Sequence, residues 1–199
     1  MWLGGGLAVV SNQILWVDTE TTGLDPERNG IIEIAGIFQY PGQRDQKSKR
    51  FETMCDPGRV ELHPKALEVN GIKEEDIGTF QPIDRALANM DTYVEPWCVI
   101  AGWNVAGFDI PFMKAAYKRA GIKWRFHYHC LDMMVVANWL KFCGRLNCKS
   151  LSLQNVAKYL GINTADFGDA HRAMPDVLTT VAIAKVFRDQ FLGGMKIKV

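Results

Sequence analysis

The chain has 199 residues, 48% of them apolar, and a formal net charge of +1. This length suits one filled hydrophobic core, so we predict a single domain over residues 1–199, with residues 1–12 as a short N-terminal extension. The nearly balanced charge excludes a protein-wide basic field as the means of binding nucleic acid, so any such binding must be local.

The cysteines and the apolar runs bear on where the protein works. The five cysteines form an odd set without a Cys-x-x-Cys pair, and no secretory signal is recognisable. Both features are typical of reduced thiols in the cytoplasm. No apolar stretch approaches the roughly 20 residues that cross a bilayer. We therefore expect a soluble, cytoplasmic protein without a membrane partner.

The first element is an apolar run from Ile14 to Val17 that leads into Asp18 and Glu20. Side chains of a strand alternate between its faces, so these carboxylates share one face and repel each other unless a cation lies between them. Oxygen ligands at this spacing suit Mg²⁺ or Mn²⁺ rather than zinc. An isolated Asp-x-Glu is more often an exposed strand end before a glycine turn, so other carboxylates must decide.

The rest of the chain alternates strand patterns with helix patterns. Further strands are predicted at 31–38, 51–55, 97–103 and 126–131. Helical turns are predicted at 62–79, and helices at 82–94, 110–120, 132–142, 151–160 and 175–191. Strands come first and then alternate with helices, which predicts an α/β fold with a mixed five-stranded sheet flanked by helices.

Two further acids lie at predicted helix starts. Asp109 precedes Ile110 and Pro111, where it is suited to cap a helix. Asp176 follows Pro175 in the first turn of the last helix, where the helix dipole favours an acid. These local roles are sufficient explanations, but they do not exclude metal binding, because sites on α/β sheets form at the ends of elements.

His171 precedes Asp176 by five residues. An unperturbed histidine titrates at about pH 6.5, so a neutral imidazole here could take a proton from water. With this base, Asp18, Glu20, Asp109 and Asp176 would compose a site for two cations about 3.5–4 Å apart, which serves displacement at phosphorus. The predicted reaction class is phosphodiester hydrolysis.

The acids and the histidine fall in three segments, Asp18–Leu24, Gly102–Asp109 and Ala170–Asp176. In order and spacing these resemble the three exonuclease motifs of the DEDDh, or DnaQ-like, 3′–5′ exonucleases. The resemblance covers nearly the whole chain, including 31–35 and 64–72. It implies a ribonuclease H-like fold and a Mg²⁺- or Mn²⁺-dependent exonuclease that releases 5′-mononucleotides from single-stranded 3′ ends.

The resemblance also implies residue roles. The implied metal ligands are Asp18, Glu20, Asp109 and Asp176, and the implied base is His171. The implied contacts to the terminal nucleotide are Thr21, Thr22, Leu24, Asn104 and Phe108. Asn70 is a further implied contact, at a position where several relatives carry a histidine that touches the substrate.

The kind of nucleic acid stays open at this point. Trp16 and the run 24–28 resemble oligoribonucleases, whereas 104–109 is closer to the DNA-trimming and proofreading branches. DNA is the preferred prediction. Base stacking and charge neutralisation accept either sugar, and only contacts to the 2′-hydroxyl would separate them.

Two alternatives come from other classes. A non-catalytic, polymerase-associated module would be expected to have lost a ligand or the base, and all five positions are filled. A zinc site would have to be built from His127, His129, Cys130, Cys143 and Cys148. Their spacing matches no standard zinc pattern.

A basic helix face carries Lys114, Lys118 and Arg119 and could guide a strand, although a solvated face is the simpler interpretation. A free-standing nuclease is preferred, because no long tail follows the last predicted helix. Neither a polymerase partner nor a homodimer is predicted by any pattern of residues.

Overall fold

The centre of the molecule is a mixed β-sheet, seen in a computed structural model that describes residues 13–40, 48–169 and 171–192. The strands are β1 (Ile14–Thr21), β2 (Ile31–Gln39), β3 (Lys49–Asp56), β4 (Gln81–Pro82), β5 (Val99–Gly102) and β6 (Cys130–Asp132). Their order in space is β4-β3-β2-β1-β5-β6. β1 is antiparallel to β2 and parallel to β5, so β1 and β5 end at the same edge. The extension predicted for residues 1–12 lies outside the described ranges.

The helices cover both faces of this sheet. They are α1 (Pro64–Asn70), α2 (Glu74–Ile77), α3 (Ile83–Asp91), α4 (Asp109–Arg119), α5 (Met133–Phe142), α6 (Leu153–Tyr159) and α7 (Ala173–Phe187). α3 and α4 pack against the face that carries Leu15 and Val17, and α5, α6 and α7 pack against the face that carries Trp16. Because strand side chains alternate, Asp18 and Glu20 follow Trp16 onto the α7 face.

Two local features shape the sheet where β1 ends. The pairing of β1 with β2 shifts by one residue between Glu20 and Thr21, which leaves Ile32 as an extra, buried residue of β2. This is a β-bulge, a feature that often redirects side chains next to functional sites. Gly102 ends β5 where a Cβ would lie 2.8 Å from the Val17 carbonyl oxygen, so a larger residue would push the two strands apart.

The predicted α/β fold with a mixed sheet and flanking helices is confirmed, but the predicted number of strands was wrong. The described residues form six strands rather than five. β4 has only two residues and contains a proline, so it carries no periodic signal. The strand predicted at 126–131 is reduced to β6. Before it, Phe126 packs against Trp124 with ring centres 4.8 Å apart, and the N–H of His127 donates to the carbonyl oxygen of Cys98, the residue before β5.

None of the helices in the described part of the chain combines the length and the apolar character that a membrane span requires.

Candidate metal and substrate site

Three carboxylates converge at the end of β1. One oxygen from each of Asp18, Glu20 and Asp176 lies within 4.8 Å of the others. β1 supplies the first two residues and the first turn of α7 supplies the third. Among the described residues, no other set of three His, Cys, Asp or Glu side chains lies close enough to share an ion.

The fourth predicted ligand, Asp109, lies beside this cluster at the start of α4. It is only 3% exposed. Its carboxylate accepts hydrogen bonds from the backbone N–H of Thr19 at 2.9 Å and from the Thr19 hydroxyl at 2.8 Å. These bonds join α4 to β1 and hold Asp109 close enough to Asp18 for its charge to raise the pKa of that carboxyl.

The pKa values of the acids are all raised, and the causes are shared. Burial, followed by the charges of Asp109 and Asp176, raises the pKa of Asp18 well above its usual range. Burial and then the charge of Glu33 raise the pKa of Glu20 to about 8. Burial raises the pKa of Asp109 to about 7, although its hydrogen bonds from Thr19 oppose the shift. In the folded protein, burial and the mutual repulsion of the acids therefore outweigh the nearby positive charge.

This chemistry fits a divalent cation. The converging donors are carboxylate oxygens, which Mg²⁺ and Mn²⁺ prefer, whereas zinc favours nitrogen and sulfur. A cation between the carboxylates would remove their repulsion, which is one cause of the raised pKa values. All three clustered acids are partly exposed, so an ion could reach them from solvent.

His171 lies beside the acid supplied by α7. The His171 backbone N–H hydrogen-bonds to the Asp176 carboxylate, and both this bond and the charge of His171 lower the pKa of Asp176. Burial raises that pKa by more, so the net shift is upward. On its other side, Asp176 accepts a hydrogen bond of 3.2 Å from the side-chain amide of Gln154. His171 is itself exposed, with a φ of 61°.

Two charged residues of the site were not predicted from the sequence. Glu33 on β2 pairs directly with Glu20 on β1 and is fully buried. It accepts two hydrogen bonds from Arg172, at 2.9 and 3.3 Å. A lone acid in the apolar run 31–38 is a signal that could have identified Glu33, because a buried carboxylate needs a partner. No local pattern identifies Arg172 or Gln154.

A cavity of about 710 Å³ adjoins the acids. This volume falls in the range of about 300–1,000 Å³ that is typical of small-molecule sites. The lining residues are Glu20, Thr21, Gly23, Leu24, Asp25, Arg28, Asn29, Glu61, Leu62, His63, Lys65, Ala66, Val69, Asn70 and Phe108. Glu20 belongs both to this wall and to the carboxylate cluster, so the cavity and the acids form one continuous site.

The structure brings four of the six predicted substrate contacts to this cavity, namely Thr21, Leu24, Asn70 and Phe108. Leu24 is 85% exposed. Asn70 is buried, and its side-chain amide donates to the carbonyl oxygen of Thr21. The Asn70 amide thus supports the end of β1 as well as lining the cavity.

Thr22 and Asn104 do not line the cavity. Thr22 is fully buried; its hydroxyl donates to the Glu61 carbonyl oxygen and accepts from the Gly30 N–H. Asn104 is exposed in a left-handed turn, where its N–H donates to the Asp132 carboxylate. In this structure both residues stabilise loops around the site.

The predicted basic face is partly engaged within the protein. The Lys114 ammonium lies 5.6 Å from the centre of an indole ring. The Arg119 guanidinium donates to the carbonyl oxygens of Pro26 and Asn29, at 3.2 and 3.0 Å. Lys118 is exposed. These contacts fit a solvated helix face, on which Arg119 supports the loop at 26–29, better than a surface that binds a nucleic-acid strand.

The zinc alternative gains no support. Within the described ranges, no three of its candidate ligands lie close enough together to share an ion; these candidates are His127, His129, Cys130, Cys143 and Cys148.

Comparison with known proteins points to nucleases. The sequence model described as "Exonuclease" (RNase T) matches residues 15–184. The DNA polymerase III PolC-type of Thermotoga maritima is 30% identical over 168 residues, which are 84% of this chain and 11% of that protein. The oligoribonuclease of Shewanella sp. strain MR-4 is 23% identical over 193 residues, which are 92% of this chain and 98% of that protein. The chain thus spans about a tenth of the length of the polymerase and nearly all of the oligoribonuclease.

Solved structures show the same fold. E. coli exonuclease I in complex with a dT13 oligonucleotide has a TM-score of 0.76 to this chain at 21% identity. The match covers 92% of this chain and 42% of that one. The shared architecture is the ribonuclease H-like sheet with helices on both faces.

Proposed function

Because the chain belongs to the exonuclease (RNase T) family, we propose that it removes nucleotides from the 3′ ends of single-stranded DNA and releases 5′-mononucleotides. The convergence of Asp18, Glu20 and Asp176 within 4.8 Å carries this proposal. Three carboxylates that repel each other at this distance are unfavourable in the folded protein unless a cation is bound, and they adjoin a cavity that can hold a nucleotide.

The acids hold the cations in this proposal. Asp18, Glu20, Asp109 and Asp176 are the ligands, and Mg²⁺ or Mn²⁺ is the expected ion. Two such cations, when bound, help to ionise the attacking water and to neutralise charge on the leaving oxygen. The two hydrogen bonds from Thr19 hold the Asp109 carboxylate against β1, the strand that carries Asp18.

His171 takes the proton from the attacking water. Its backbone is fixed against Asp176, while the imidazole is open to solvent, to which the proton can be passed. A positioned general base of this kind contributes typically about 10²–10⁴-fold to a rate.

The cavity holds the terminal nucleotide. Leu24 and Phe108 offer apolar surface to the base or sugar. Because Glu20 lines the cavity and also belongs to the acid cluster, a nucleotide seated there places its 5′ phosphate against the acids. Cleavage on the 5′ side of that nucleotide releases a 5′-mononucleotide.

DNA is proposed as the substrate for two reasons. The Thermotoga relative is a DNA polymerase, and the exonuclease I structure contains a DNA oligonucleotide. RNA is the second candidate, because the similarity to oligoribonuclease covers 98% of that protein.

The test is a cleavage assay on single strands of the same sequence in DNA and RNA, each labelled at the 5′ end. With Mg²⁺ or Mn²⁺ we expect a ladder shortened stepwise from the 3′ end, faster on DNA, and no cleavage in chelator. Asp18→Asn serves as the inactive control. Faster cleavage of RNA would favour the second candidate. Cleavage in chelator, or none on either strand, would refute the proposal.

A further inference from the structure

Glu33 is a buried charge next to the metal ligands that needs an explanation of its own. It has no exposed surface, and it lies across the β1–β2 ladder from Glu20. A carboxylate is costly to bury unless it is paired and hydrogen-bonded. Both Glu33 oxygens accept from Arg172, so one guanidinium satisfies this acid in a forked arrangement.

Arg172 connects Glu33 to the proposed base. It follows His171 in the chain and is the capping residue of α7. Its guanidinium also lies 3.9 Å from the sulfur of Met54 on β3. The start of α7 is therefore tied to the sheet by a side chain that is directly adjacent to His171.

His171 is in a conformation that its surroundings must hold. Its backbone φ of 61° lies in the left-handed region, where a residue other than glycine persists only when neighbouring contacts hold it. The contacts on either side of it are the Arg172–Glu33 pair and the hydrogen bond from its own N–H to Asp176. The exposed imidazole adds little to this anchoring.

We infer that Arg172, held by Glu33, is a positioning residue that fixes His171 over the acid cluster. This inference rests on the proposed function, because it takes His171 as the general base. The forked pair ties β2 to Arg172, the residue directly after His171. Loss of this pair lets His171 move although the acids stay in place. A displacement of about 1 Å at a reacting group can cost about 10²-fold in rate.

A second mechanism has to be separated from the first. The positive charge of Arg172 also lowers the pKa of Glu20, so loss of Arg172 could act through cation binding instead. The two mechanisms differ in their dependence on His171. Positioning requires the imidazole, whereas an effect on the acids does not.

The experiment is a kinetic double-mutant cycle on the full chain, with wild type, Arg172→Met, His171→Ala and the double variant. We expect Arg172→Met to lower kcat about 10–100-fold, with KM and the half-saturating Mn²⁺ concentration changed less than about twofold. In the His171→Ala background the same change should cost less than about twofold. Arg172→Lys keeps the charge but not the fork and should recover only part of the rate.

Two further variants control for folding. Arg172→Met leaves Glu33 buried without a partner, so Glu33→Gln/Arg172→Met is made alongside it and should show the same loss of kcat. Arg188→Met removes an exposed arginine that pairs with Asp189 after α7, and it should leave kcat unchanged.

The inference is overturned if Arg172→Met and the Glu33→Gln/Arg172→Met variant keep kcat, if Arg172→Met loses equal activity with and without His171, or if the Mn²⁺ requirement moves with the rate. If His171→Ala itself keeps full activity, the assignment of the base fails, and the positioning role with it. If His171→Ala loses activity and Arg172→Met does not, only the positioning role fails.

Discussion

The two sides of the acidic site are built in different ways. Asp18 and Glu20 belong to β1, which is paired along its length with β2 and over residues 14–16 with β5. Asp109 is nearly enclosed and is held by Thr19. On the α7 side, His171 is exposed in a left-handed conformation.

Because of this difference, we expect the two sides to serve two tasks, cation binding and proton transfer. A strand within a sheet cannot shift without breaking the hydrogen bonds of its ladder, whereas the exposed segment before α7 is tied to the sheet by side-chain contacts such as the Arg172–Glu33 pair. We therefore expect cation binding to depend mainly on the sheet side. The rate should depend on both sides, because the proposed base, His171, lies on the α7 side.

The largest expected effect comes from the sheet side. Asp18→Asn removes a ligand and should lower kcat about 10³-fold or more, since charge stabilisation by bound cations amounts to several kcal/mol. In chelator the same variant should melt several degrees higher than wild type, because a repelling charge is gone. One kcal/mol corresponds to roughly 2–4 °C for a chain of this size. Thermal unfolding in chelator and a rate assay with Mg²⁺ measure both effects.

Asp84→Asn, an exposed acid in the first turn of α3, is the matched control and should change neither quantity by much. If Asp18→Asn melts lower than wild type, Asp18 holds the fold through hydrogen bonds, and the repulsion described for the cluster is wrong.

An intermediate effect is expected on the α7 side. His171→Ala should lower kcat about 10²–10³-fold, because the proposed general base is lost. The increase in melting temperature on adding Mn²⁺ should stay as in wild type, because no ligand has been removed. His129→Ala, an exposed histidine outside the site, is the control. If Mn²⁺ no longer raises the melting temperature of His171→Ala, cation binding depends on the α7 side as well as on the sheet side.

The smallest effect concerns pH and stability without metal. The pKa of Glu20 is raised from 4.5 to about 8 in the folded protein. The stability contributed by protonated Glu20 is therefore fully present below about pH 4.5 and is lost as the pH rises through about 8. In chelator, the melting temperature should fall between these limits, and the fall should be shallower in Glu20→Gln. If the melting temperature falls equally with pH in both proteins, the pKa of Glu20 is not raised by its surroundings in the folded protein.

The resemblance to the DnaQ-like exonucleases is confirmed by family membership. That Asp18 and Glu20 share one face was predictable from the strand period of two. That Asp176 joins them was predicted from the order of the three segments and their resemblance to the exonuclease motifs, and the structure brings the three carboxylates together. Their roles as ligands, and that of His171 as base, stay predictions.

Other features depended on contacts that local sequence does not record. The Glu33–Arg172 pair joins residues 139 positions apart, and no periodicity links them. Thr22 lies in the first motif but is turned into the protein by hydrogen bonds to residues 30 and 61. β4 was missed because two residues carry no pattern.

The bulge at Ile32 has a consequence for how the length of this chain can change. Deleting Ile32 would restore regular pairing to β1 and β2, but it would remove a fully buried side chain that packs with Leu67, Ile72 and Ile77. An insertion between Asp18 and Glu20 would turn one of the two carboxylates away from α7, because side chains alternate along a strand. Insertions and deletions between residues 18 and 33 should therefore be tolerated only within the connecting loop at 24–30.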